Sequence, residues 1–335
     1  MLSEILLAIG VFFVGLLVWA AVAFKGWKKN LLTELKQHSL VQSTALGLME
    51  YALVGDGPVL LVIHGAPGGY DQGLLAMNKW TDEGFSVLSI SRPGYLQTPI
   101  ETGPTLEEQA DAVAALLDSL NITKVAVLGA STGGAVALHF ALRHSDRLWA
   151  QVVVAGVSQP YTMKTSQKRS FLRRVIFSNL LMDIGVWLFD VATRYRPVFS
   201  LNEMFKVNVA LESRERKRYV ACVMNRPGQV EWYKRFIKTT CPLSSRNPGL
   251  ANDVEQLANL SLKQVERIRC PTMIIHGTAD GEVPFSHAEY TSSSISNSIL
   301  YGLKGIGHIV WLGDHVDQME SDMFEFLKEH EPSTF

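Results

Sequence analysis

Five apolar runs dominate the chain: PVLLVIHG (58–65), FSVLSIS (85–91), KVAVLGA (124–130), LWAQVVVAG (148–156) and CPTMIIHG (270–277). Most do not alternate polar with apolar residues. Strands of this kind are buried on both faces, as in a parallel sheet covered by helices. Helix signals fall between them. Thr105-Leu-Glu-Glu108 matches a capping box, and AVAALLDSL carries helical spacing on to Leu120. A second helix is expected over 132–144. This alternation predicts an α/β fold with a mostly parallel sheet and helices on both faces. MEYALVG (49–55) adds a strand, joined to 58–65 through the turn Gly55-Asp56-Gly57. SILYGLK (298–304) adds another, and a final helix is expected from about 311 to 329.

The N-terminus departs from this pattern. Residues 5–24, ILLAIGVFFVGLLVWAAVAF, carry no charge. As a helix at ~1.5 Å per residue they cover ~30 Å, the hydrocarbon thickness of a bilayer. Ala21-Val22-Ala23 resembles a signal cleavage site, but no Lys or Arg precedes the run, and the run exceeds a usual signal core. A transmembrane anchor is therefore expected over residues 1–29. Lys25, Lys28 and Lys29 follow the apolar run, which predicts a cytoplasmic catalytic domain in a single-pass membrane protein. Residues 30–47 read as a linker running into a first strand.

The rhythm breaks once more, from 158 to 265, where strand signals stop and helix formers with Arg and Lys take over. We expect a helical cap there, inserted between a first core part (30–157) and a second (266–335). It carries Arg169, Arg173 and Arg174. It also carries an apolar stripe: Leu172, Ile176, Leu180, Ile184, Trp187, Leu188 and Val191, broadened by Phe177, Leu181 and Phe189. Such a stripe packs on the core, or rests on a membrane or lines an acyl pocket. The basic run Arg214, Arg216, Lys217 and Arg218, with Glu212 and Glu215, reads as a solvated helix face. A net charge of −1 over 335 residues does not favour nucleic acid as a partner. Cys222, Cys241 and Cys270 are widely spaced, without a C-x-x-C pair, so a metal site is not expected, and no organic cofactor is implied either. Free thiols are the simplest reading, with a Cys222–Cys241 bridge as the alternative.

Gly129-Ala-Ser131-Thr-Gly133, between an apolar strand and a helix, fits G-x-S-x-G, a nucleophile elbow. The elbow brings strand and helix so close that both flanking positions must be glycine. A serine needs a base, and histidine has a suitable pKa. Of nine histidines, His308 in Gly305-Ile-Gly307-His308 follows the last strand, where its ring can reach over the sheet. His315 is the weaker candidate. His64 and His276 end strands, and His139 and His144 lie on the helix after the elbow. Asp280, just past the strand 270–277, is the expected orienting acid, with Glu282 as fallback. In His64-Gly-Ala-Pro-Gly-Gly69 the proline cannot donate. Ala66 N–H from this loop, flanked by Gly65 and Gly68, is therefore expected to form an oxyanion hole with Thr132 N–H at the helix start.

Four separated motifs in this order make the chain resemble the α/β-hydrolase superfamily over about residues 45–330. The resemblance implies an eight-strand sheet with a cap after the sixth strand. Within the superfamily, HGAPGG is similar to the HGGPG motif of proline iminopeptidases, and Ser-Arg-Pro-Gly94 follows the next strand as their Asp-x-Arg-Gly does. Ala66 replaces a glycine there, and Thr132 replaces the tryptophan usual after their serine. Serine at 131 argues against dehalogenase or epoxide hydrolase chemistry. The expected activity is hydrolysis of carboxylic esters, lipid-like ones first, by Ser131, His308 and Asp280. One alternative is a proline iminopeptidase-like aminopeptidase, which needs acidic cap residues such as Glu203, Glu212 or Glu231. The other is a binding protein that kept the fold and lost the chemistry.

Overall fold

A computed structural model describes residues 1–162 and 179–332. Its centre is an eight-stranded sheet ordered β1-β2-β4-β3-β5-β6-β7-β8. The strands are β1 (Leu40–Thr44), β2 (Gly47–Val54), β3 (Val59–Ile63), β4 (Ser86–Ile90), β5 (Val125–Ala130), β6 (Leu148–Val154), β7 (Thr272–Gly277) and β8 (Ser298–Leu303). Only β2 runs against its neighbours, antiparallel to both β1 and β4. The turn Gly55–Gly57 does not close a hairpin, because β4 lies between β2 and β3. The reason is burial. Every residue of β4 is inaccessible, whereas both ends of β2 are open, so the more apolar strand takes the inner place.

Two apolar layers sandwich the sheet. Helices α3 (Leu106–Ser119), α4 (Thr132–Arg143) and α10 (Ser286–Ser294) cover one face. Helices α2 (Tyr70–Ala76) and α11 (Val316–Glu329) cover the other. Both halves of the α3 capping box are present: Glu108 N–H donates to Thr105 Oγ1 at 3.2 Å, and Thr105 N–H to Glu108 Oε2 at 2.9 Å. Helix α11 starts five residues later than its sequence pattern implies. The carbonyls of Val310, Trp311 and Leu312, which an earlier start would use, instead accept from His315, Gln229 and Tyr219 side chains. His315 therefore stands just before this helix rather than inside it.

Between β6 and β7 the described residues form α5 (Asn179–Tyr195), α6 (Pro197–Asn208), α7 (Ser213–Asn225), α8 (Gln229–Lys238) and α9 (Asn247–Ala258). Helices α6 to α8 share a small core around Leu201, Phe205, Val223, Tyr233 and Ile237. Of the expected apolar stripe and its basic flank, Arg169, Leu172, Arg173, Arg174, Ile176 and Phe177 lie outside the described residues. All three cysteines are free, so Cys222 and Cys241 form no bridge.

The N-terminal helix α1 runs over Leu2–Gln37, so residues 30–37 are helical rather than a linker. Leu31 and Leu35, one turn apart, are buried against Ala52, Tyr70 and Cys241. That contact extends the helix beyond the apolar run. Residues 3–37 form a helix long and apolar enough to cross a membrane, and of the apolar run 5–24 only Phe24 is buried.

Candidate active site

The turn between β5 and α4 places Ser131 at φ 52° and ψ −119°, a conformation costly for a residue with a side chain. Backbone hydrogen bonds hold it there. Ser131 N–H donates to Val154 O at 2.9 Å, and its carbonyl accepts from Gly134 and Val157 N–H, each at 3.0 Å. The flanking glycines are needed for close approach. A Cβ on Gly133 would stand 2.4 Å from the carbonyl oxygens of both Ile63 and His64. One on Gly129 would stand 2.5 Å from Ala137 Cβ.

Three side chains far apart in sequence meet at this turn. His308 Nε2 lies 3.0 Å from Ser131 Oγ, in position to accept its proton. On the opposite side of the ring, Nδ1 lies 2.7 Å from Asp280 Oδ2. Asp280 is itself oriented, since Oδ1 accepts from Glu282 N–H at 2.8 Å and Val283 N–H at 2.9 Å. Glu282 approaches the other nitrogen of the ring, with Oε2 3.5 Å from Nε2. It therefore stands on the serine side and not where an orienting acid belongs. Of the other histidines, His276 stands beside the same acid, with Nε2 3.2 Å from Asp280 Oδ2, while His144 and His315 are engaged away from the site. His276 Nε2 bonds Val283 O at 3.0 Å, His144 bonds Asp111 at 2.8 Å, and His315 bonds Val310 O at 2.7 Å.

The electrostatics follow from these contacts. Burial opposes an imidazolium at His308, but the carboxylates of Asp280 and Glu282 outweigh it and lift its pKa to about 9. Burial also opposes ionisation of Asp280, yet His308 and His276 hold it well below the usual carboxylate range. Asp280 thus stays charged across the working pH range, and the site favours positive charge on His308.

The loop carrying Ala66, expected to form the oxyanion hole, is braced by a residue to which sequence reasoning gave no role. Arg92 is fully buried. Its Nε donates to His64 O at 3.0 Å, and one terminal nitrogen donates to Thr132 Oγ1 at 2.8 Å. Its backbone N–H donates to His64 Nε2 at 3.0 Å, and His64 Nδ1 in turn lies 2.7 Å from Gly65 O. One guanidinium therefore ties the loop carrying Ala66 to the start of α4. Asp253 on α9 neutralises it through two hydrogen bonds. Gly65 sits against Ser131, where an added Cβ would lie 2.9 Å from the serine Cβ, and Gly68 N–H closes the loop onto Gly65 O at 2.8 Å. The motif Ser-Arg-Pro-Gly94 marked the place of Arg92, whereas nothing in NPGLANDVEQLA marks Asp253.

A second omission is the chain leaving α6. Asn208 O accepts from His308 N–H at 2.9 Å and from Gly281 N–H at 3.0 Å. Asn208 Nδ2 donates to Glu282 Oε1. One short segment thus holds the acid loop and the histidine loop in register. Above Ser131 lies a cavity of about 800 Å³, with Ala66, Ser131 and His308 in its wall. The rest of the wall is mainly apolar and includes Met182, Val186, Phe189, Met204 and Trp311.

This sheet order, with the strained Ser131 turn after β5 and Asp280 and His308 after β7 and β8, is that of an α/β-hydrolase. The chain belongs to that fold family, whose model matches residues 58–314. It is 27% identical over 288 residues to the uncharacterized hydrolase YcgS of Bacillus subtilis (strain 168), covering 84% of this chain and 95% of the relative. It is 23% identical over 255 residues to the bifunctional esterase/perhydrolase DCH of Acinetobacter calcoaceticus, covering 76% and 86%. The solved α/β-hydrolase fold protein from Nakamurella multipartita superposes with a TM-score of 0.78 at 29% identity, over 88% of this chain and all of that one. The protein is a hydrolase.

Proposed function

We propose that this protein is a membrane-anchored serine hydrolase that cleaves carboxylic esters, lipid-like ones preferentially, through an acyl-enzyme. The observation that carries this reading is the hydrogen-bonded line from Ser131 Oγ through His308 to Asp280 at the wall of an apolar cavity. Ser131 attacks the ester carbonyl, and His308 Nε2 takes its proton and delivers it to the departing alkoxide. Asp280 holds the ring and balances the imidazolium. The N–H groups of Ala66 and Thr132 stabilise the tetrahedral oxyanion, each worth roughly 3–4 kcal/mol of barrier. Water, activated by the same histidine, then frees the acid.

The apolar cavity wall and the exposed apolar stretch of α1 support a lipid-like substrate. The lysines after residue 24 support a cytoplasmic catalytic domain. An aminopeptidase reading also has one observation in its favour, because Glu203 lines the cavity. That carboxylate is already paired with Lys206, which leaves it a weak anchor for a substrate amine. The test is to label the full-length protein with a fluorophosphonate and assay p-nitrophenyl esters beside aminoacyl-naphthylamides, wild type against Ser131→Ala. We expect labelling and ester turnover in wild type only, with turnover in Ser131→Ala lower by about 10⁵-fold. A folded wild type that is neither labelled nor active on esters overturns the reading.

A further inference from the structure

Helix α5 meets three different surroundings along three faces. Asp183, Trp187 and Asp190 fall on one face at helical spacing, and all three meet α1. Asp183 pairs with Lys28, Asp190 accepts from Trp27 Nε1 at 3.0 Å, and the ring of Trp187 stands 5.6 Å from that of Phe24. Phe24 is the last residue of the uncharged run 5–24. Along α1, Leu35, which packs on the sheet domain, lies ~16 Å further from that point. The cap is therefore the part of the hydrolase body nearest the end of the apolar run.

The second face looks inward, where Met182, Val186 and Phe189 line the cavity. The third face looks outward and carries Leu180, Ile184, Leu188 and Val191 at steps of three and four. Leu180 and Leu188 are each 55% exposed. Ile184 and Val191 are half-buried, and Phe199 on α6 is a further exposed ring of the cap. The cavity reaches the surface at Leu181, the chain neighbour of Leu180. Leu181 and Val207 line the cavity and are also about half exposed, so they form its rim. Exposed apolar surface thus runs from the end of the candidate span to the mouth of the active site. Lys25, Lys29 and Lys36 border an open groove on α1 beside it, a charge pattern that suits anionic headgroups.

We infer that the outward face of α5 rests on the lipid bilayer and that the cavity draws its substrate from it, as an ester already dissolved among the lipids. This rests on the membrane-anchored ester-hydrolase reading above. The bilayer is the occupant because α1, once inserted, holds the patch at its surface, and because Lys25, Lys29 and Lys36 border the adjoining groove. Leu180 and Leu188 then bury apolar surface in the acyl layer, and the mouth at Leu181 and Val207 is closed to bulk water and open to lipid.

Two measurements on the full chain test this. Wild type is reconstituted in vesicles of phosphatidylcholine and phosphatidylglycerol whose acyl chains carry a diazirine, then irradiated, and the labelled peptides are mapped. Label is expected on residues 5–24 and again on 180–199. Label on 5–24 without label on 180–199 overturns the inference, whether that face is then bare or covered by a second copy, which chemical cross-linking distinguishes. Absence of label on 5–24 sinks the anchored reading itself. In the second measurement, Leu180→Asp/Leu188→Asp is compared with wild type. The variant is expected to keep its fluorophosphonate labelling and its turnover of a short soluble ester, while its turnover of a long-chain ester embedded in the vesicles falls about tenfold or more. Equal retention of both activities overturns the inference. Photolabelling of the wild type decides it should the variant fail to fold.

Discussion

The carboxyl edge of the sheet and the helical roof above it enclose one cavity but are held in different ways. At the edge, position is set by backbone packed against backbone. Ser131 is hydrogen-bonded through both its N–H and its carbonyl, and a methyl group at Gly133 would strike two carbonyls. In the roof, side chains carry more of the load, through the small apolar core of α6 to α8 and a few ionic ties, and backbone contacts with the sheet domain are confined to points such as Gly249 N–H to Gly94 O at 2.8 Å and the Asn208 carbonyl. One tie, Arg92 to Asp253, joins α9 to the loop beneath the oxyanion site. Another, Lys28 to Asp183, joins α5 to the N-terminal helix. The edge tolerates almost no change of shape, while the roof can exchange one apolar residue for another of similar volume. On the proposed function, chemistry would be built into the stiff half, and substrate choice into the adaptable half.

The comparison can be broken where the two halves meet. The largest effect is expected at Arg92. Arg92→Met strands the buried carboxylate of Asp253, and the unfolding free energy in detergent should fall by about 3–5 kcal/mol. The double substitution Arg92→Met/Asp253→Leu should recover most of that loss. Urea titration of both variants gives the answer, and a single variant as stable as wild type would show that the edge does not depend on this tie. A smaller effect is expected at the other tie. Lys28→Ala leaves Asp183 to Ser244 alone and should cost about 1–3 kcal/mol in thermal unfolding, with soluble-ester turnover unchanged. A marked loss of soluble-ester turnover would mean that the anchor contact shapes the site as well as the roof.

The smallest effect sharpens the comparison by separating orientation from electrostatics. His308 accepts the serine proton only when neutral, so kcat/KM should rise with pH through its pKa. Asp280 and Glu282 both raise that pKa, so the acid limb should lie on the alkaline side of an ordinary histidine. Glu282→Gln removes one of the two carboxylates and should move the limb to lower pH, leaving the plateau near the wild-type value. A pH–rate profile of both proteins checks this, and an unmoved limb would mean that Glu282 does not influence the ring.

Much of the edge was legible because its signals are local. The elbow needs glycine two residues before and after the serine, and Asp280 and His308 each follow directly on an apolar strand. These requirements act over a few residues and leave a pattern there. The sheet order was not legible in the same way. The turn at Gly55–Gly57 suggested neighbouring strands, and only competition for the buried central positions placed β4 between β2 and β3. The helical end of α1 was missed because Leu31 and Leu35 become informative only when Ala52 and Tyr70 are known to lie beneath them. Asn208 was invisible because the two bonds that tie the loops of Gly281 and His308 together are accepted by its carbonyl, and any residue has a carbonyl.

Taken alone, then, the sequence determined the α/β class, the strained turn at Ser131, the pair of loops from which an acid and a base would be drawn, and a terminal apolar stretch of membrane length. Tertiary structure alone decided that Nε2 of His308 faces the serine while Glu282 crowds the same nitrogen, that Arg92 and Asp253 brace the oxyanion loop from below, and that the exposed stripe of α5 runs from the end of the apolar helix to the mouth of the cavity. The division has one cause. Backbone conformation and burial constrain each residue through its near neighbours in the chain, and so are written locally. Contacts between charges and faces far apart along the chain exist only once the fold has brought them together.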